Sequence, residues 1–80
     1  MQSMASATKI LQKMRTNPRD WRIEDLQTVA RHFEIDYSQY RTSHCTFRHV
    51  YAGRLTVPAS RPIKPVYVRN FVEFVDKVIL

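Results

Sequence analysis

The sequence predicts an α+β domain in which helices cover one face of a three-stranded antiparallel sheet. Three observations carry that reading. Apolar residues recur at helical spacing before residue 34 and after residue 65. Between those limits they alternate with period two. The three strand-like runs are joined by links too short for a crossover connection.

From about Ala5 to Arg15, the residues Ala7, Ile10, Leu11 and Met14 fall at i, i+3, i+4 and i+7, which is the spacing of one helical face. Ser3 or Ser6 is available as its N-cap, and Asn17-Pro18 ends it. A second helix places Ile23, Leu26, Val29, Ala30 and Phe33 together, with Glu24 and Asp25 in the first turn, where the helix dipole favours negative charge. Trp21, just ahead of it, is expected to pack on the core. EIDYSQY (34–40) then reads as a strand, and SHCTFRH (43–49) as another across a tight Arg41-Thr42 connection. Gly53, the only glycine, lies in the turn VYAG before a third strand, RLTVP (54–58). Pro58, Pro62 and Pro65 punctuate the loop PASRPIKP. A last helix runs from about Val66 to Ile79, with Val68, Phe71, Val72, Val75, Val78 and Ile79 as its apolar stripe and Pro65 suited to its first turn.

Eighty residues allow one modest core, and an apolar content of 44% is enough to build it. A single cysteine excludes an internal disulfide and suits a reducing compartment. No apolar run exceeds three residues and no signal-peptide h-region is present, so a cytoplasmic protein without membrane attachment is expected. The net charge of +6 is unevenly spread. Between Tyr37 and Val72 there is no acid, but there are Arg41, Arg48, Arg54, Arg61, Lys64 and Arg69. A basic half beside a mixed-charge half has the charge distribution of a phosphate-binding protein, so these six cations are candidate RNA contacts.

Strand alternation sorts the residues of RTSHCTFRHV. Cys45 and Phe47 form the apolar set and face the helices, so His44, Thr46 and Arg48 face outward. By the same rule Leu55 and Val57 point in, and Arg54 and Thr56 point out. The open sheet face thus gathers an imidazole, two arginines and two threonines, with Arg41 and Lys64 near its rim. A histidine transfers protons near neutral pH, and neighbouring cations favour its neutral, base-competent form. Arginine and lysine hold a phosphate and stabilise charge developing on it. The simplest chemistry using both is RNA cleavage by the RNA's own 2′-hydroxyl. Metal-dependent nuclease chemistry wants clustered carboxylates. Glu34 and Asp36 are isolated candidates, and one cysteine with three scattered histidines has no zinc-ligand spacing, so neither metal nor small-molecule cofactor is expected.

Other residues have plainer readings. His49, at the end of its strand, is read as structural. His32 is a charge at a helix C-terminus. Cys45 is a small core residue with no predicted base beside it. Tyr37, Tyr40, Tyr51 and Tyr67 can stack on bases, but packing accounts for most of them.

Several stretches resemble the HicA family of toxins from bacterial type II toxin–antitoxin systems: Thr42-Ser43-His44 followed by CTFRH, the third-strand LTVP, and RPIKPVYVRNFVEFVD leading into the last helix. The resemblance covers roughly Ile23 to Asp76. It implies a double-stranded-RNA-binding-domain-like fold, α-β-β-β-α, for a core of residues 19–80, with residues 1–18 as an N-terminal helical extension. It also implies a metal-independent endoribonuclease that cleaves mRNA, with His44 catalytic, Ser43 beside it, Lys64 in the loop before the last helix, and a HicB antitoxin as protein partner. Two features depart from the family pattern. The family's usual glycine is Thr42 here, and the positions of a second histidine hold Cys45 and Ser60, which leaves His49 or Lys64 as the second acid. The alternative is a non-catalytic RNA-binding module of the same fold.

Overall fold

A computed structural model of the chain describes residues 2–39 and 43–80, with side chains from Ala7 onward. Helix α1 spans Gln2–Thr16, α2 Ile23–His32 and α3 Pro65–Ile79, and strands β1 (Asp36–Ser38), β2 (His44–His49) and β3 (Gly53–Pro58) lie between α2 and α3. The strands form one antiparallel sheet in the order β1-β2-β3. The expected α+β order and meander are therefore present.

Each boundary has a local cause. Helix α1 begins at Gln2, so Ser3 and Ser6 lie within its span. The N-terminus of α2 is closed by Asp25, whose carboxylate accepts the Arg22 backbone N–H at 3.0 Å, while the Asp25 N–H donates to the Arg22 carbonyl at 2.9 Å. Its C-terminus is a Schellman turn. Glu34 takes φ 58°, its N–H donates to the Arg31 carbonyl, and the Ile35 N–H reaches the Ala30 carbonyl at 2.8 Å. That turn consumes Glu34 and Ile35, which is why β1 is shorter than the predicted run of 34–40. The β2–β3 hairpin closes through Ala52, whose N–H donates to the His49 carbonyl at 3.2 Å, and Gly53 then supplies φ 83°. Lys64 caps α3 with extended backbone, and Pro65 follows inside the first turn.

The core lies between the sheet and the helices. Cys45, Phe47 and Val57 turn their side chains inward and are fully buried, against Leu26 and Val29 of α2 and Val68, Phe71 and Val75 of α3. The Phe47 ring sits 4.9 Å from Phe71 and 5.9 Å from Tyr37. Helix α1 packs on α2 and α3 through Ala7, Leu11 and Met14. Arg15 of α1 forms a two-pronged pair with Asp76 of α3 at 2.8 and 2.6 Å. The Cα radius of gyration, 11.6 Å, is that of a singly folded unit of this length, about 12 Å. Among the described residues no helix is long and apolar enough to cross a membrane.

Candidate nucleic-acid interface

Burial along β2 runs exposed, buried, intermediate, buried, exposed, intermediate. This is the alternation predicted from sequence, and it puts His44, Thr46 and Arg48 on the face away from the helices. In β3, Arg54 and Thr56 are exposed and Val57 is buried, so they share that face. Register then arranges these residues in rungs. His44 lies opposite Pro58, Thr46 opposite Thr56, and Arg48 opposite Arg54. The two threonine hydroxyls are 3.1 Å apart, which keeps both aimed across the open face. At about 3.3 Å per residue, the Arg48–Arg54 rung stands about 13 Å along the ladder from His44.

Strand β1 adds groups that sequence reasoning did not assign to this face. Asp36 pairs with Arg48 and Ser38 with Thr46, while Tyr37 pairs with Phe47 on the covered side. Asp36, Arg48 and Arg54 therefore form one row across the sheet. Alternation alone would have sent Asp36 outward once Tyr37 was read as inward. Only the pairing register shows that it meets an arginine.

The start of β2 is fixed by backbone. The Ser43 carbonyl accepts the Ala59 N–H at 2.6 Å, extending the β2–β3 ladder one bond beyond His44. Ser43 itself lies in the bend that precedes the strand and is exposed. Arg41 and Thr42, including the tight connection expected there, lie outside the described residues, as does Tyr40.

The remaining predicted cations do not gather on the sheet. Ile63 is fully buried and its N–H donates to the Trp21 carbonyl at 2.8 Å, which ties the proline-rich loop to the entrance of α2. Arg61 consequently sits beside α2, with its guanidinium 3.9 Å from Glu24. Lys64 is exposed at the head of α3. Arg69 is on the outer side of α3, opposite the stripe of Val68, Phe71, Val72 and Val75 that packs on the core. The open face thus carries His44, Arg48 and Arg54, whereas Arg61 sits beside α2, Arg69 on the outer side of α3, and Lys64 at the head of α3.

The other titratable residues fall where their local chemistry directs them. His49 is at the far end of β2, about 17 Å from His44 by strand rise, and its Nδ1 accepts the Tyr51 backbone N–H at 3.1 Å. The two imidazoles therefore cannot share one phosphate. His32 ends α2 beside Phe33, with ring centroids 4.7 Å apart. Cys45 is fully buried; burial pushes its thiol up, and an N–H from Gln27 Nε2, 3.6 Å from Sγ, partly offsets this. It packs in the core, as predicted. Among the described residues no three of His, Cys, Asp and Glu come together as a metal-binding group. A cleft of about 560 Å³ lies elsewhere, between α1 and Trp21. No protein-family model, curated protein or solved structure matches this chain.

Proposed function

We propose that the protein is a metal-independent endoribonuclease that cleaves mRNA as the cytoplasmic toxin of a toxin–antitoxin pair. The observation that carries this reading is the placement of His44 on the exposed sheet face, in ladder register with the Thr46–Thr56 and Arg48–Arg54 rungs. Its resemblance to the HicA family through Ser43-His44, LTVP and RPIKPVYV supplies the reaction class, the double-stranded-RNA-binding-like description of the fold and a HicB-type antitoxin as partner.

In this mechanism the neutral imidazole of His44 takes the proton of a ribose 2′-hydroxyl. The 2′-oxygen forms a bond to the adjacent phosphorus, the bond from phosphorus to the 5′-oxygen breaks, that oxygen takes a proton from solvent water, and the proton held by His44 returns to solvent. The products are a 2′,3′-cyclic phosphate and a 5′-hydroxyl. Ser43 orients the start of the strand. The threonine hydroxyl that is not the donor of the Thr46–Thr56 bond, one rung from His44, donates to a phosphate oxygen. Arg48 and Arg54, two rungs away on side chains that stand roughly perpendicular to the sheet, hold the neighbouring part of the backbone. Lys64 and Arg61 meet the RNA beyond the sheet, and Arg69 reaches it only if the strand continues around α3.

The test is cleavage of single-stranded RNA in EDTA, beside the same sequence with 2′-deoxyribose throughout. Cutting of RNA alone, with cyclic phosphate ends, is the expected result; cutting of both, or cutting abolished by EDTA, would sink the mechanism. A second reading, a non-catalytic RNA-binding module, draws on one observation. The residue across the ladder from His44 is Pro58, which has no proton to transfer. Salt-dependent RNA binding without cleavage would favour it.

A further inference from the structure

The β2–β3 hairpin ends in a surface that a solvated turn does not require. Val50 is 87% and Tyr51 75% exposed, side by side at the tip between Arg48 and Arg54. Tyr37 and Tyr67 pack against the core as predicted; Tyr51 does not. Its position is nonetheless held. The Tyr51 N–H is donated to His49 Nδ1, and the two rings lie 5.5 Å apart at 50°. His49 in turn lines a shallow cleft of about 350 Å³ together with Asp36, Arg48, Val50, Gly53 and Arg54. Guanidinium groups, an apolar side chain and a braced pair of rings therefore occupy one end of the sheet.

The charges along this row are unbalanced. Arg48 and Arg54 are directly opposite one another, an arrangement that destabilises a sheet through like-charge repulsion. Asp36 stands opposite Arg48 on its other side, so the row's one acid is nearer Arg48 than Arg54. Arg54 is two strands from Asp36, about 10 Å away, and carries the surplus. An anion seated at Arg54 relieves the repulsion, and a planar ring stacks on the neighbouring aromatic surface. A phosphate joined to a base satisfies both.

We infer that the hairpin tip is a second RNA-contact site, where Arg54 and Arg48 hold a backbone phosphate and Tyr51, braced by His49, stacks on an unpaired base. This deepens the endoribonuclease reading and rests on RNA being the ligand. It adds that the RNA is single-stranded, because a paired base does not offer a free face to a side chain, and that the strand runs along β2 from His44 to the tip.

The experiment is fluorescence anisotropy with a short single-stranded RNA bearing 2′-O-methyl groups throughout, which removes the attacking hydroxyl and reads binding apart from cleavage. Tyr51→Ala is expected to weaken binding about tenfold. Arg54→Ala should weaken it and reduce the slope of log affinity against log salt by about 0.7. Asp36→Asn should tighten it, which loss of a structural contact would not do. Urea midpoints of the variants establish that each is folded. Wild-type affinity in both Tyr51→Ala and Arg54→Ala overturns the inference. Displacement of the RNA by polyglutamate, equal for wild type and Tyr51→Ala, also overturns it, because the tip then serves an acidic protein surface. Tyr51-dependent binding by a wild type that cuts no cleavable RNA supports the inference and removes the endoribonuclease reading.

Discussion

Replacing His44 by alanine and, separately, Phe47 by alanine compares two neighbours on one strand whose side chains point to opposite faces. His44 is exposed and lies opposite Pro58, so its truncation opens no buried cavity, and the stability change should stay at about 1.5 kcal/mol or less, well below that of a core truncation. Phe47 is fully buried between Phe71 and Tyr37, and its truncation should cost about 3–5 kcal/mol. The rate of RNA cleavage should fall about 10²–10⁴-fold in His44→Ala, a loss of about 3–5 kcal/mol of transition-state stabilisation. Equal free energies are thus lost from different quantities, one from the barrier and one from the fold. Urea denaturation followed by Trp21 fluorescence reads the fold, and cleavage of single-stranded RNA in EDTA reads the barrier. A His44→Ala protein that cuts at the wild-type rate refutes the assignment. So does one as unstable as Phe47→Ala, since its inactivity would then reflect unfolding.

Three further outcomes follow from local physics. The Cys45 thiol, raised by burial, should react with a thiol-directed reagent only as fast as the protein opens, so labelling should accelerate in parallel with urea. Because its folded value lies above its unfolded one, its contribution to stability is complete below the ordinary thiol range and is lost as pH rises through the folded value; a flat stability profile in that alkaline window would contradict this. The Arg15 guanidinium holds the Asp76 carboxyl below the usual carboxylate range, so its contribution is present above that range and fades as pH falls through the depressed value. With side chains 46% and 38% exposed, the pair should be worth only about 0.2–1 kcal/mol, and Asp76→Asn should remove most of the salt dependence of stability in that acid window. Gly53→Ala meets no atom within 4 Å, so its cost is backbone strain alone, about 1–2 kcal/mol, whereas Glu34→Gly relieves the same kind of strain and should stabilise by about 1 kcal/mol. Both are read from urea midpoints, and equal signs would refute the argument.

What could be read from the chain alone was whatever depends on near neighbours. The inward set Cys45, Phe47 and Val57 and the outward set His44, Thr46, Arg48, Arg54 and Thr56 follow from period-two alternation, and the structure reproduces them. Gly53 in the hairpin turn and Pro65 at the head of α3 were legible for the same reason, since each answers a local backbone demand. The early end of the predicted first strand was not. Glu34 has a side chain that disfavours positive φ, and only the packing of Ile35 and Ala30 in the core makes the Schellman turn worth forming there.

Proximity between distant residues was decided by the tertiary structure. Six cations between residues 41 and 69 read as one basic region, yet burial of Ile63 against Trp21 carries Arg61 to α2, and the apolar stripe of α3 turns Arg69 outward. The meeting of Asp36, Arg48 and Arg54 in one row, and the exposure of Tyr51 beyond them, depend on register and turn length. The direction of a side chain is fixed by its own backbone, so sequence determines it; which side chains meet is fixed by how the chain returns on itself, and that is settled only when the core closes.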